Sequence, residues 1–170
     1  PHLYYATFPY ADKTLALVPL ADERILFDWT SHKVAWHVTL EHGAANEDWD
    51  AKTRCTAYTL GHNLYVLTEE GKRMQVSQDG SVDIVYGEAV HRNEFGIDGG
   101  LFWNPKGTKL AFYRMDQSMV ADYPLINVPE LSDTAHLMAT PAPEKYPMAG
   151  QTSHKVTIGV YDVASGSIVY

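Results

Sequence analysis

A strand pattern that recurs at intervals of 46 to 49 residues is the feature that most constrains the fold of this chain. Equivalent leucines mark the recurrence, and each copy follows a turn. The copies are residues 13–18, 62–67 and 108–113. A unit of about 40–50 residues that holds four strands is typical of a β-propeller blade. The recurrence therefore predicts an all-β fold of antiparallel, four-stranded blades.

A hairpin pattern recurs as well, in residues 26–36, 74–86 and 160–170. Asp79-Gly80 and Ser165-Gly166 are residue pairs that favour the positive φ angles of tight hairpin turns. Together the two patterns predict about three blades, at roughly residues 1–50, 51–90 and 91–170. Propellers close with about 4–8 blades, so three blades form only part of a ring. The alternative is a β-sandwich in which the similarity between segments is coincidental.

Two long breaks interrupt the strand pattern. One is the acidic segment 41–50, and the other runs from about residue 116 to 155 and contains five prolines. A long connection inside a compact domain is usually functional or a place where another domain docks. The outer strands of a partial ring would also be unpaired, which invites association. We therefore expect docking against another domain or a homodimer.

Composition narrows the classes of function. Apolar residues make up 45% of the chain, enough for a core, and the net charge is −8. An acidic surface argues against binding nucleic acid or an anionic membrane but suits a cationic ligand. Cys55 is the only cysteine, so an intrachain disulfide is excluded. No apolar run approaches the ~20 residues of a membrane span. The abrupt ends suggest a piece of a longer protein.

The polar segment 91–97 places one carboxylate, Glu94, directly before the predicted hairpin 101–116. A carboxylate on such a loop could hold a cation, for example the amino terminus of a peptide. This segment also carries a family resemblance. Residues 86–119, 145–150 and 156–162 resemble the N-terminal propeller of the dipeptidyl peptidase IV family, and within it the bacterial prolyl tripeptidyl aminopeptidases and dipeptidyl peptidases most closely.

The resemblance implies a substrate and a role. Members of the family are serine exopeptidases that cleave after proline near a free amino terminus. Their eight-bladed propeller gates an α/β-hydrolase domain with a Ser-Asp-His triad, and it binds the substrate's amino group through two glutamates. The matching positions here are Asn93 and Glu94, so one carboxylate is replaced by an amide. That replacement favours tripeptidyl over dipeptidyl release. A bacterial periplasmic, cell-surface or secreted location is expected.

The chain itself is predicted to be non-catalytic. It contains no Gly-x-Ser-x-Gly elbow, and we expect the α/β-hydrolase domain to lie outside it. The histidines are scattered without ligand spacing, so neither a metal site nor a cofactor is expected. Phe102, Trp103 and Phe112 are interpreted as core aromatics, and Arg114 and Asp116 as an ion pair. Two alternatives remain: a non-enzymatic propeller that binds other proteins, and a small all-β enzyme.

Overall fold

The computed structural model describes residues 2–90, 94–130, 132, 135 and 138–170. These residues form strands and two short 3₁₀ turns, at His2–Tyr5 and Glu94–Gly96. Three larger antiparallel sheets follow one another along the chain, and two small two-stranded sheets lie within the third. The predicted all-β class is therefore confirmed, and the described part of the chain contains no closed barrel.

The first sheet is a meander of three strands. The strands are β1 (Leu15–Leu20), β2 (Glu23–Asp28) and β3 (Lys33–Thr39). The turn between β2 and β3 contains His32 with a φ of 56°, and this confirms the predicted hairpin at residues 26–36. On the outer side of β1, Thr7 pairs with Leu17 through two backbone hydrogen bonds of 2.8 and 3.0 Å.

The second sheet has the four strands expected of a blade. They are β4 (Ala45–Trp49), β5 (Thr56–Leu60), β6 (Asn63–Leu67) and β7 (Arg73–Gln75), in that order across the sheet. Gly61 and His62 both have positive φ angles, 56° and 68°, which suits the tight turn between β5 and β6. The acidic segment 41–50 thus contains a strand, which Trp49 anchors by packing against the core.

The third sheet is built around one long strand. Its strands are β8 (Ile84–Tyr86), β9 (Leu101–Trp103), β10 (Lys109–Asp116), β15 (Lys155–Asp162) and β16 (Ile168–Val169). On one edge, β10 pairs with β15 along its full length. On the other edge it pairs with β9 near its start and with β8 near its end. The predicted hairpin at residues 160–170 is confirmed, with Gly166 at a φ of 71°.

The predicted hairpin at residues 74–86 is wrong, because β7 belongs to the second sheet and β8 to the third. The connection is held at the start of β6, where the Gly80 N–H and the Ser77 hydroxyl both donate to Asn63 Oδ1, at 2.9 and 3.1 Å. Gly80 does not have a positive φ; a Cβ there would overlap the His62 carbonyl. The sheets therefore divide near residues 40–44 and 76–83, whereas the repeats predicted divisions near 50 and 90.

The predicted break between residues 116 and 155 contains the two small two-stranded sheets, which we call the arm together with the described residues around them (119–130, 132, 135 and 138–148). Its strands are β11 (Asp122–Tyr123), β12 (Ile126–Asn127), β13 (Thr140–Pro141) and β14 (Glu144–Lys145). Strand β11 pairs with β14 and β12 with β13, so the outgoing strands β11 and β12 are each paired with a returning strand.

Two apolar clusters join neighbouring sheets. One includes Leu26, Trp36 and Tyr58 and lies between the first and second sheets. The other includes Leu64, Leu110 and Phe112 and lies between the second and third. Tryptophan side chains also donate across these boundaries, from Trp36 to the Glu69 carbonyl and from Trp103 to the Asp48 carbonyl, both at 3.0 Å. Side-by-side packing of sheets on shared cores is the arrangement expected of neighbouring blades.

Two residue assignments from the sequence need correction. Phe112 is fully buried and Trp103 packs against the core, but Phe102 is 45% exposed, because alternation along β9 turns it to the opposite face. Arg114 pairs with Asp79 at 2.6 Å rather than with Asp116, which instead accepts hydrogen bonds from Ser118. Arg114, in strand β10, therefore pairs with an acid on the connection between the second and third sheets.

Candidate functional site

The loop that carries Glu94 leaves and re-enters the third sheet at one point. The Gly87 N–H donates to the Tyr113 carbonyl at 3.0 Å, and the Tyr113 N–H donates to the Gly100 carbonyl at 2.9 Å. One residue of β10 therefore holds both ends of residues 88–99, which we call the Glu94 loop. The base of this loop is fixed by the same strand that forms the centre of the sheet.

Close packing at the loop base adds a second constraint. A Cβ atom on Gly100 would overlap the carbonyl oxygen of Glu88 and would lie 2.8 Å from the Gly87 carbonyl carbon. Only glycine fits at that position without a shift of the backbone. The entry and exit of the loop therefore lie in direct contact with each other.

Of the two predicted binding residues, the structure shows the backbone of one. Glu94 begins the 3₁₀ turn Glu94–Gly96 in the middle of the loop. Phe95 follows with a φ of 57° and is 86% exposed. The side chain of Glu94 and the whole of Asn93 lie outside the described residues. The predicted role of these two side chains therefore stays a prediction.

A cavity of about 740 Å³ adjoins the loop on both of its described sides. Glu88, Ala89 and Val90 line it where the loop begins, and Asp98 lines it where the loop returns. The second sheet contributes Asn46 and His62, the end of β10 contributes Met115, and the arm contributes Glu144 and Lys145. The described ends of the Glu94 loop therefore line a cavity that is also lined by the second sheet, the third sheet and the arm.

Carboxylates dominate the charged lining of this cavity. They are Asp83, Glu88, Asp98, Asp122 and Glu144. Lys145 lies 3.1 Å from Asp122 and 3.8 Å from Asp83, and its ammonium also donates to the Val120 carbonyl at 3.2 Å. Lysine therefore offsets part of the negative charge on the side of the arm.

Glu88 has a different environment on the side of the loop. The residue is exposed at the cavity rim, but partial burial of its carboxyl group raises the pKa of Glu88. The charge of His62 and a hydrogen bond from the Asn46 amide act in the opposite direction. The Asn46 amide also donates to Thr59 Oγ1 at 2.9 Å, so its orientation is fixed from the second sheet.

Reasoning from the sequence missed Glu88, Asn46 and His62 as members of one site. Asn46 and Glu88 are 42 residues apart in the chain and meet only because the second and third sheets pack together. One available signal was the position of Glu88, a carboxylate that follows the apolar strand β8 after a single glycine.

The described residues contain no group of three or more His, Cys, Asp or Glu side chains placed to hold a metal ion. Cys55 is buried, and burial raises the pKa of its thiol. Within the described ranges, no helix is long and apolar enough to cross a membrane.

The family comparison covers most of the chain. Residues 18–170 match the family model described as the dipeptidyl peptidase IV (DPP IV) N-terminal region. A "Probable dipeptidyl-aminopeptidase B" of Uncinocarpus reesii is 28% identical over 129 residues, and one of Ajellomyces capsulatus is 30% identical over 131 residues. Each alignment covers 71% of this chain and 14% of the relative.

Solved structures show the same relationship. A Bacteroides ovatus protein, a "putative dipeptidyl aminopeptidase IV", is 41% identical and superimposes with a TM-score of 0.80 over 99% of this chain. Dipeptidyl peptidase 4 of Porphyromonas gingivalis is 22% identical with a TM-score of 0.66 over 97% of this chain, and it shares the fold. The chain spans 22% of each of these structures. This chain therefore belongs to the dipeptidyl peptidase IV family and corresponds to part of its N-terminal region.

Proposed function

We propose that this chain is the part of a prolyl-specific serine exopeptidase that gates access to the active site and binds the free amino terminus of the peptide. Glu94 is the carboxylate that holds the substrate's ammonium group, and Asn93 is a secondary contact through its amide oxygen. The observation that carries the proposal is the Glu94 loop itself. Its two ends are fixed on Tyr113, and it adjoins a cavity whose charged lining is mostly carboxylates.

The fixed base of the loop matters for the way an exopeptidase selects substrates. A carboxylate at a constant distance from the catalytic centre accepts an ammonium only when the peptide between them has the right length. A charge-assisted hydrogen bond to such an ammonium contributes roughly 1.5–3 kcal/mol. Peptides with a blocked amino terminus would lose that contribution, and so would peptides one residue too long or too short.

The catalytic steps belong to another part of the longer protein under this proposal. The chain contains no Gly-x-Ser-x-Gly elbow and spans 14% of the curated relatives it matches, so the proposed α/β-hydrolase domain is supplied elsewhere. The substrate class is a peptide with a free amino terminus and a proline near it. With Asn93 in place of one carboxylate, the proposal favours tripeptidyl release. A bacterial periplasmic, cell-surface or secreted location and a homodimer are parts of the same proposal.

Glu94→Gln in the full-length enzyme tests the proposal. We expect kcat/KM for peptides with a free amino terminus to fall by at least about tenfold, because a neutral amide replaces the charged partner. N-acetylated versions of the same peptides should be poor substrates of the parent enzyme and no worse with the variant. An equal fall for both kinds of peptide would show that Glu94 acts on the fold or on catalysis rather than on the amino terminus.

A further inference from the structure

We propose that Lys145 is a positioning residue for the substrate: it holds the arm against the connection between the second and third sheets and so sets the width of the cavity that the peptide enters. The inference rests on the proposed function, since it concerns the same cavity. It requires no contact between Lys145 and the peptide. Three observations carry it: the contacts of the Lys145 ammonium group, the pairing of the arm strands and the lining of the cavity.

The ammonium group of Lys145 lies between acceptors from two parts of the chain. Its Nζ is 3.1 Å from Asp122 Oδ1 and donates to the Val120 carbonyl at 3.2 Å, and both of these residues lie on the outgoing side of the arm. The third acceptor is Asp83 Oδ1, at 3.8 Å, on the connection between the second and third sheets. A lysine ammonium has three N–H donors, one for each of these groups. The Lys145 side chain is 23% exposed, so protein atoms cover most of it.

The arm depends on contacts at its base for its position. Its four strands have two residues each, and within the described residues they pair only with one another. A two-stranded ribbon is at best marginally stable alone. The chain that enters the arm is held by Gln117, whose side-chain amide donates to the Val82 carbonyl at 2.6 Å and whose N–H donates to the Asp83 carbonyl at 2.8 Å. Lys145 provides a corresponding link from the returning strand β14.

The segments that Lys145 joins are walls of the cavity. Asp83 lines it from the connection, Asp122 from the outgoing strand and Lys145 from the returning strand. Both described ends of the Glu94 loop line the same cavity. A shift of the arm would therefore change the space available to a peptide whose amino terminus is held at Glu94. Because binding is strongest at a preformed site, a wider or more mobile cavity should weaken substrate binding.

The charges at the base of the arm indicate how loss of Lys145 would act. Among the ion pairs of the described residues, Lys145 is the cation for both Asp83 and Asp122. Without the lysine, these two carboxylates would repel each other across the base of the arm. Direct recognition of an acidic peptide by Lys145 is disfavoured, since the two aspartates already offset its charge. The expected effect is therefore on the position of the arm.

The experiment measures kcat and KM of the full-length enzyme separately. The variants are Lys145→Met, which keeps the length of the side chain, Lys145→Arg, which keeps the charge, Asp83→Asn, and the double variant Lys145→Met/Asp83→Asn. Lys109→Met is the matched control, because Lys109 also pairs with an aspartate at 3.8 Å but does not line the cavity. The substrates are three peptides with a free amino terminus and proline at the cleavage position, followed directly by Glu, Gln or Lys. Thermal unfolding reports whether each variant retains the fold.

We expect Lys145→Met to raise KM by about fivefold for all three peptides and to change kcat by less than about twofold, because it weakens binding without touching the reacting atoms. Lys145→Arg should keep KM within about twofold of the parent value, and Lys109→Met should match the parent enzyme. In the Asp83→Asn background, Lys145→Met should raise KM less than it does in the parent, because the link between the arm and the connection is already lost.

Two results would overturn the inference on their own. If Lys145→Met shifts KM in opposite directions for the Glu and Lys peptides, Lys145 acts through its charge on the peptide and not through the arm. A lower kcat at unchanged KM, together with a lower melting temperature, would show only a loss of folded enzyme.

Glu94→Gln, measured in parallel, separates the inference from the proposed function. If Glu94→Gln lowers kcat/KM for free-terminus peptides and Lys145→Met leaves KM unchanged, the inference is wrong and the proposed function stands. If Lys145→Met raises KM as expected and Glu94→Gln has no effect, the inference stands and the role of Glu94 in the proposed function is wrong. No effect of either variant would overturn both.

Discussion

Gly100 lies against the carbonyl group of Glu88 with no space for a side chain between them. The contact closes the base of the Glu94 loop, and Tyr113 holds the residues on both sides of it. A glycine is therefore required by close packing at this point, although its φ is not in the left-handed region. The contact therefore helps the third sheet to hold the loop that carries Glu94, the proposed binding residue for the substrate's amino terminus.

Gly100→Ala should displace the Glu94 loop. The added Cβ would overlap the Glu88 carbonyl, and overpacking of this kind costs typically about 1–3 kcal/mol. We expect a lower melting temperature and a lower kcat/KM for peptides with a free amino terminus. The adjacent Gly99→Ala is the matched control, because no atom lies within 4 Å of a Cβ built there. Equal effects of the two changes would show that the contact with Glu88 does not fix the loop.

The ion pair between Arg114 and Asp79 should contribute measurably to stability. Arg114 also donates to the hydroxyl of the buried Tyr86 at 3.0 Å, and that hydroxyl donates to Asp79 at 2.5 Å. A double-mutant cycle with Arg114→Gln and Asp79→Asn should give a coupling of about 1 kcal/mol, at the upper end for exposed pairs because the network is shared. Denaturant unfolding of the parent, single and double variants provides this value.

The pair of Lys109 and Asp162 is the comparison for that cycle. Its charged atoms are 3.8 Å apart, and both side chains are partly exposed. The same cycle there should give a coupling close to zero. A coupling as large as that of Arg114 and Asp79 would contradict the role assigned to the network.

Asp28 should make the stability of the first sheet depend on pH. A hydrogen bond from the Thr14 hydroxyl at 2.8 Å is the largest cause that lowers the pKa of Asp28 to about 2, and the Thr30 and Ser31 N–H groups assist it. Because the folded pKa is below the unfolded value, the stabilisation is complete above about pH 4. It is lost as the pH falls from about 4 to about 2.

The measurement is the melting temperature of the parent protein and of Asp28→Asn between pH 7 and pH 2. The two should differ at pH 7 and converge as the pH falls through the stated window. Thr14→Val, which removes the largest cause of the shift, should move the convergence to higher pH. A difference that stays constant down to pH 2 would show that Asp28 acts by packing and not through its charge.

Local sequence patterns predicted the parts of the fold that depend on local interactions. The hairpins at residues 26–36 and 160–170 are present, because each has a turn whose residues accept a positive φ. The segment 74–86 has a similar pattern, but Asn63 captures the backbone of Gly80 and diverts the chain to the next sheet. This contact is a tertiary one, so the sequence pattern of a single segment does not predict it.

The same holds for the candidate site. The sequence and the family resemblance predict the position of Glu94 before a hairpin. They do not predict that Glu88 lies close to Asn46 and His62, because that proximity requires the second and third sheets to share a core. Strand alternation predicts that Arg114 pairs with Asp116, whereas its partner Asp79 lies 35 residues earlier, on the connection between the second and third sheets.

The replacement of a glutamate by Asn93 should affect the length of the released product. If the missing carboxylate sets the preference, Asn93→Glu should raise the ratio of dipeptide to tripeptide release by the full-length enzyme. Asn93→Gln is the control, since it lengthens the side chain without adding charge. Mass spectrometry of the products from one peptide with proline at both the second and third positions gives the ratio. An unchanged ratio with activity retained would show that length is measured elsewhere in the protein.

A structure of the full-length enzyme with a bound peptide tests the central claim most directly. The distance between the peptide's terminal nitrogen and the Glu94 carboxylate is the decisive quantity. We predict a charge-assisted hydrogen bond of about 2.7–2.9 Å, with the peptide entering the cavity beside the Glu94 loop. A peptide whose amino terminus is bound by other residues, with Glu94 beyond hydrogen-bonding distance, would contradict the proposal.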